Sequence, residues 1–147
     1  GYTVEQTLTA VNGMMLAATQ GEEYATVDLL LADLWMGQAE LHKLGACMSV
    51  LVYEGRDSVL EGAALPLGIL EEIAPQKASF RLKVGQQRFL MSDGITDVMT
   101  EEELRAACVE AAQEPNAEAA AALLLQTAVE TVDVPHDDAS CAVIRII

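Results

Sequence analysis

The spacing of hydrophobic residues changes several times along the chain, and each change predicts a different element. Near the amino terminus, hydrophobic residues recur every three or four positions, which is the spacing of one helix face. These residues are Val4, Leu8, Val11, Met15 and Ala18. Thr3 and Gln6 match a capping box at the start of this helix, and Gln20-Gly21 is typical of its end. The first segment is therefore predicted to be helical.

Short apolar runs separated by glycine-bearing turns follow, a pattern typical of strands. Strands are predicted at 24–35, 38–44, 48–53, 58–61, 78–83 and 87–92. The intervening turns are predicted at Met36-Gly37, at 54–57 and at 84–86. Residues 63–75 are less regular because Pro66 and Gly68 interrupt any period there. This succession of short strands predicts an antiparallel meander.

Helical spacing returns in the last third of the chain. Thr100 and Glu103 match a second capping box, and Asn116 is the predicted N-cap of a third helix. A run rich in Val and Ile at 140–147 predicts a final strand. Because strands are grouped with strands and helices with helices, the pattern favours an α+β fold, with antiparallel β-sheets flanked by helices.

Three of the polar residues in the predicted strands need an explanation. His42 lies between Leu41 and Lys43 in a strand that alternates polar and apolar residues, so we expect it on the strand surface rather than in a catalytic role. Asp28 is expected to hydrogen-bond a nearby turn. Asp33 is expected to start the turn toward Gly37, since Asp side chains commonly bond the backbone two residues on.

Composition and charge exclude several classes of function. The chain has 147 residues, 52% of them hydrophobic, which suits one folded domain with a real core. Eight basic residues against 23 acidic ones leave a net charge of −15. This charge argues against binding to nucleic acid or to an anionic membrane, since both rely on clustered Lys and Arg. No apolar run approaches the roughly 20 residues that cross a bilayer.

The three cysteines, Cys47, Cys108 and Cys141, are odd in number and form no C-x-x-C pair. A disulfide framework and a structural zinc site are both disfavoured by that spacing. We expect buried, reduced thiols and a cytoplasmic location. A longer parent protein with a membrane anchor upstream is compatible with this expectation.

Two acidic loops are the best candidates for chemistry. Asp93 follows an apolar strand and lies between Ser92 and Gly94, while Asp137 and Asp138 directly precede the last strand. Each loop alone is compatible with an ordinary solvated turn. Together, carboxylates at the ends of neighbouring strands suit a hard cation, which prefers oxygen ligands.

At these residues the sequence resembles the metal-dependent protein phosphatases, the PPM or protein phosphatase 2C-like family. Within it, the bacterial branch typified by stage II sporulation protein E is most similar. The resemblance runs over nearly the whole chain and rests on five short stretches in the family's order. They lie at 23–37, 43–46, 65–70, 90–97 and 137–140.

The resemblance implies two Mn²⁺ or Mg²⁺ ions that activate a water for attack on phosphoserine or phosphothreonine. It implies that Asp93 and Asp137 are metal ligands and that Asp138 takes a structural or hydrogen-bonding position. Ser92 and Gly94 would shape the loop rather than bind metal. No side chain is implied as a catalytic group beyond the metal-activated water.

The sequence departs from the family at its first metal motif, an Asp-Gly pair whose Asp bridges both ions. The only Asp-Gly pair here is Asp93-Gly94, which is already assigned. Residues 1–147 are therefore expected to be the C-terminal portion of a single phosphatase domain, an incomplete αββα sandwich without its first strands. We expect weak or partial metal binding, little activity alone, and exposed sheet edges that permit a homodimer.

Three functions remain open at this point. The first is a phosphatase domain acting on a phosphoserine regulatory protein, such as an anti-sigma factor antagonist, in sporulation or sigma factor regulation. The second is a non-catalytic, phosphatase-like module that binds a phosphoprotein or regulator. The third is a purely structural domain whose motifs are coincidental.

Overall fold

The computed structural model describes residues 1–131 and 137–147, and it confirms an α+β fold with antiparallel sheets flanked by helices. The helices are α1 (Val4–Thr19), α2 (Asp93–Thr96), α3 (Glu101–Ala111) and α4 (Ala117–Glu130). The strands are β1 (Val27–Asp33), β2 (Gln38–Leu44), β3 (Ser49–Tyr53), β4 (Arg56–Leu60), β5 (Gln76–Arg81), β6 (Gln87–Met91) and β7 (Cys141–Arg145).

The chain divides into two compact units, each with its own sheet. The first unit comprises residues 1–46 and 62–81 and holds a three-stranded sheet of order β1-β2-β5. The second comprises residues 47–61 and 82–147 and holds a four-stranded sheet of order β4-β3-β6-β7. All the described strand pairs are antiparallel.

The predicted meander is wrong. Short turns join the paired strands β1–β2 and β3–β4, whereas β6 and β7 pair although three helices separate them in the chain. β2 also pairs with β5, and β3 with β6, across long stretches of sequence. A hairpin depends on the few residues of its tight turn. In the turn that connects β3 to β4, for example, Glu54 and Gly55 both have a positive φ. The distant pairings depend on which apolar faces are buried together, and no local pattern shows that.

Helix α1 begins and ends as predicted. Thr3 and Gln6 form the reciprocal bonds of the capping box, and Gln20 adopts a left-handed conformation after the last turn. In the first unit, Leu8 of this helix packs with Leu44 and Leu67 in a small apolar core. The helix thereby covers part of the sheet and part of the loop that precedes β5.

That loop is irregular, as predicted, and it is held in place by the buried side chain of Asn12. The Asn12 Nδ2 group donates to the carbonyl oxygens of Leu70 (2.8 Å) and Glu71 (3.2 Å), and its Oδ1 accepts from the Gly68 N–H (2.8 Å). Gly68 has a φ of +88°, and a Cβ there would lie 2.5 Å from the Glu23 carbonyl oxygen. Glycine is therefore required at this position, both by conformation and by space.

Two of the three polar residues in the strands lie in surroundings that differ from the prediction. His42 is buried rather than exposed, because it lies in β2, the central strand, where residues on both faces are covered. The Oδ1 of Asp28 accepts from the buried Lys43 Nζ at 2.6 Å across the β1–β2 pair, so this carboxylate bonds a neighbouring strand. Asp33 does start the turn, since its Oδ1 accepts from the N–H groups of Trp35 and Met36.

The second unit has the larger core. Helices α3 and α4 begin at Thr100 and Asn116, as predicted, with side-chain caps at both residues. Their apolar faces pack with residues of the second sheet. The fully buried members of this core are Val50, Phe89, Ile95, Leu104, Cys108, Ala111, Ala120 and Leu124.

The three cysteines are free thiols. Cys108 is buried in the core of the second unit, and burial raises the pKa of its thiol to about 12. Burial also raises the pKa of the half-buried Cys141 to about 11. These two thiols are therefore inert packing groups at neutral pH rather than nucleophiles. Among the described residues, no helix has the length and apolar character needed to span a membrane.

Replacing Asn12 with Ala should destabilise the protein more than a typical cap mutation does. Asn12→Ala leaves the Gly68 N–H and the Leu70 carbonyl without their side-chain partner, at a cost of about 3 kcal/mol. The matched control, Asn116→Ala, removes one exposed N-cap bond and should cost about 1 kcal/mol. Urea unfolding followed by circular dichroism measures both. Equal losses would show that Asn12 does not anchor the loop.

Candidate metal centre

The two acidic loops meet because strands β6 and β7 pair in a fixed register. Met91, the last residue of β6, lies opposite Cys141, the first residue of β7. The chain therefore leaves β6 and enters β7 at the same end of the sheet. Asp93 follows this end of β6 by two residues, and Asp138 precedes β7 by three. The sheet thus brings together the loops singled out from the sequence.

Ser92 connects the two loops directly. Its N–H donates to the Ser140 carbonyl oxygen at 3.0 Å. Its Oγ donates to the Asp138 carbonyl oxygen at 3.2 Å and accepts from the Ser140 N–H at 2.9 Å. Ser92 is the N-cap residue of α2, but its side chain makes no bond to that helix. The hydroxyl instead holds the loop before β7 against the end of β6.

Gly94 allows the two backbones to touch. A Cβ at this position would lie 2.5 Å from the Asp138 carbonyl oxygen and 3.1 Å from the Ala139 Cα. Real Cβ atoms do not approach backbone this closely, so any larger residue would push the loops apart. The glycine is required here by close approach of the neighbouring chain, since its φ is not in the left-handed region.

The candidate ligands are both exposed carboxylates. Asp93 Oδ1 accepts from the Gly94 N–H at 3.0 Å, and Asp137 Oδ1 accepts from the Asp138 N–H at 2.7 Å. Asp138 is also exposed, and its backbone takes part in the contacts with Ser92 and Gly94. Each candidate carboxylate is therefore oriented by a neighbouring backbone group while its side chain remains open to solvent.

The two carboxylates are the right kind of ligand for a hard divalent cation, but they are too few to fill its coordination shell. Carboxylate oxygens are what Mg²⁺ and Mn²⁺ prefer, and such ions take about six ligands. Within residues 1–131 and 137–147, no group of three or more His, Cys, Asp and Glu side chains is placed to hold a metal ion. The described residues supply two carboxylates, so ligands from water, substrate or further residues are needed.

Two features of this region were absent from the sequence-based prediction. The first is α2, a single helical turn that begins at Asp93 and buries Ile95. A helix of four residues is too short to show a period, so only the capping residue Ser92 and the apolar Ile95 point to it.

The second feature is Arg145 at the end of β7. Its guanidinium donates to the carbonyl oxygens of Pro115 and Glu114 and to Gln87 Oε1, each within 2.8 Å. It therefore ties β7 to β6 and to the α3–α4 connection. The sequence offered one indication, because Arg145 is the only Lys or Arg after Arg105.

Comparison with known sequences gives one family. The whole chain, residues 1–147, matches the family model of stage II sporulation protein E. Stage II sporulation protein E of Bacillus subtilis (strain 168) is 31% identical over 85 residues, which is 58% of this chain and 10% of that protein. The chain thus spans about one tenth of the length of this relative.

Solved structures share the fold. The phosphatase domain and a fragment of the regulatory domain of stage II sporulation protein E from Bacillus subtilis match 99% of this chain and 45% of that one. The TM-score is 0.85 and the identity 23%. A Mycobacterium tuberculosis protein with RsbU and RsbW domains matches 99% of this chain and 43% of its own, with a TM-score of 0.82 and 20% identity. The fold is therefore that of the protein phosphatase 2C domains.

Gly94→Ala should open the junction between the two loops. The added methyl group meets the Asp138 carbonyl and should cost about 2 kcal/mol, as well as weakening Mn²⁺ binding. Gly13→Ala is the matched control, because a Cβ at that exposed helical position meets nothing within 4 Å. The control should gain about 0.5–1 kcal/mol. Urea unfolding checks both changes, and an undiminished stability of Gly94→Ala would contradict the close contact.

Mn²⁺ should bind weakly to the isolated chain, and this binding should depend on Asp93. Asp93→Asn removes one of two candidate carboxylates while keeping the shape of the side chain. Isothermal titration calorimetry with Mn²⁺ should detect weak binding by the wild type and none by this variant. Asp33→Asn, an acidic turn residue in the other unit, serves as the control and should bind as the wild type does. Equal binding by Asp93→Asn and the wild type would remove Asp93 from the site.

Proposed function

The chain belongs to the stage II sporulation protein E family, and on that basis we propose that it forms part of a metal-dependent serine/threonine phosphatase domain. The observation that carries this proposal is the junction of the Asp93 and Asp137 loops through Ser92. The loops that carry the two carboxylates thereby meet at one end of a sheet. Both are exposed, which suits a reaction on a residue of another protein.

In this proposal Asp93 and Asp137 hold Mn²⁺ or Mg²⁺. The bound metal supplies an activated water and neutralises charge on the phosphate. The chain's own residues set the geometry. The Gly94 and Asp138 N–H groups orient the two carboxylates, and Ser92 keeps the loops at a constant separation. Arg145 fixes the strand that carries the second loop.

The substrate we propose is a phosphoserine on a small regulatory protein of the anti-sigma factor antagonist type. Support comes from the family and from the likeness to a protein that carries an RsbU and an RsbW domain. The surface fits this substrate class better than nucleic acid, since a net charge of −15 repels phosphate backbones. The free cysteines suit a reducing compartment, so we place the reaction in the cytoplasm.

We further propose that residues 1–147 alone are nearly inactive. Two carboxylates would hold such a metal only weakly, because no group of three or more His, Cys, Asp and Glu side chains is placed for this among the described residues. Strands β1 and β5 are the edges of the first sheet, and β4 and β7 those of the second. Pairing of such edges with another copy would give a homodimer.

The second candidate function is a binding module that keeps the fold without the reaction. The incomplete donor set within the described residues favours this alternative. Such a module would recognise a phosphoprotein or regulator and release it unchanged. The two candidates differ in one measurable respect, which is release of inorganic phosphate.

In the presence of Mn²⁺, the isolated chain should therefore release negligible inorganic phosphate from a phosphoserine protein. The full-length gene product should release an appreciable amount. Asp93→Asn in the full-length protein should lower kcat by about 100-fold or more, the scale of losing one electrostatic contributor. Glu102→Gln, an exposed residue of α3, is the control and should leave kcat unchanged.

Rapid Mn²⁺-dependent hydrolysis by the isolated chain would contradict its proposed inactivity. A full-length protein that binds the phosphoprotein but releases no phosphate would favour the binding module.

A further inference from the structure

A small apolar pocket lies within the first unit, in the segment between β4 and β5. Its volume is about 260 Å³, and its walls include Leu65, Pro66, Leu70 and Ile73, with Glu72 as the acidic member. No part of the proposed phosphatase chemistry uses it, since Asp93 and Asp137 belong to the other unit. The pocket is large enough for one or two bulky apolar side chains, and it therefore suggests a separate binding site.

The pocket is preformed by hydrogen bonds to its backbone. The Gly45 N–H donates to the Ala64 carbonyl oxygen at 2.8 Å, and the Ala63 N–H donates to Gln76 Oε1 at 2.8 Å. On the opposite side, Asn12 holds the Leu70 carbonyl oxygen. These bonds fix the loop at both ends, so a ligand entering the pocket pays little to order it.

The loop that these bonds hold in place leaves several apolar side chains exposed to solvent. Leu65, Ile69 and Leu70 are each about half exposed, although the loop has its own core residue in Leu67. A clustered set of exposed apolar residues beside a formed pocket is typical of an interaction surface, whereas isolated exposed residues are ordinary.

The charges around the pocket indicate which kind of partner segment would fit it. Glu72 lines the pocket, and both it and its neighbour Glu71 are exposed. No Lys or Arg occurs between residues 57 and 76. No Lys or Arg precedes Lys43 either, and Lys43 is buried beside Asp28. The rim is therefore negative and attracts basic groups.

We propose that this pocket docks a segment of a partner protein that carries a bulky apolar side chain flanked by Lys or Arg. The apolar side chain would fill the pocket, and the basic groups would face the glutamates of the rim, which gives both affinity and steering. A second copy of this chain is a poor occupant, because it would bring another acidic surface with a net charge of −15. The proposal stands independently of metal binding and phosphatase activity.

The test is a binding titration without metal, followed by fluorescence anisotropy. The probe is a fluorescein-labelled peptide with a central leucine and phenylalanine and two lysines on each side. Leu70→Asp should weaken binding about tenfold or more, since it places a charge in an apolar site. The double variant Glu71→Lys, Glu72→Lys should weaken binding several-fold and reduce its dependence on salt.

Matched controls are Val84→Asp, an exposed apolar turn residue of the second unit, and Glu102→Lys on α3. Both should bind the probe as the wild type does. Circular dichroism melts establish that each variant is folded.

Several outcomes would overturn the proposal. These are no binding of the probe at millimolar concentration, equal binding by folded Leu70→Asp, or equal binding of a probe whose leucine and phenylalanine are replaced by serine. Self-association of the chain that Leu70→Asp abolishes, without binding of the probe, would assign the pocket to a second copy instead.

Discussion

The contact between the backbone at Gly94 and the backbone at Asp138 is the constraint on which the candidate site depends. It exists because β6 and β7 pair in a register that places Met91, the last residue of β6, opposite Cys141, the first residue of β7. Ser92 then supplies the hydrogen bonds that hold the loops at this short separation. The loops that carry Asp93 and Asp137 meet because of this arrangement and not because of any attraction between the two carboxylates, since like charges repel.

Single side chains also hold irregular segments in place elsewhere in the molecule. Asn12 in the first unit and Arg145 in the second each use one side chain to satisfy several backbone carbonyls of an irregular segment. Loops cannot satisfy their own polar groups as helices and sheets do, so such anchors decide whether a loop has one conformation. In this protein the anchored loops include those that carry the candidate metal ligands and the apolar pocket.

Charge gives these two surfaces different chemical characters. At the junction of β6 and β7, exposed carboxylates are the useful groups, because a divalent cation requires oxygen ligands and tolerates solvent. At the pocket, the useful groups are apolar, and the glutamates around them select for basic neighbours. The overall negative charge is therefore compatible with both a cation and a basic partner, while it disfavours nucleic acid.

The local elements were largely determined by the sequence alone. The capping residues Thr3, Thr100 and Asn116 and the turn residue Asp33 act through neighbours three or fewer positions away, so their roles were readable without a structure. The two acidic loops were also recognisable, because each follows or precedes an apolar strand and resembles a known family motif. Strand ends were predicted less accurately, and the four-residue helix α2 was missed because it is too short to show a period.

Only the tertiary structure decided which strands are neighbours and which polar groups are buried. Examples are the pairing of β2 with β5 and the ion pair of Lys43 with Asp28, in which the partners lie on different strands. The burial of His42 likewise depends on the neighbours of its central strand. The requirement for glycine at position 94 likewise arises from Asp138, far along the chain. The physical reason is the same in each case: caps and turns are short-range interactions, whereas sheet order and close backbone contacts depend on how apolar faces are buried together.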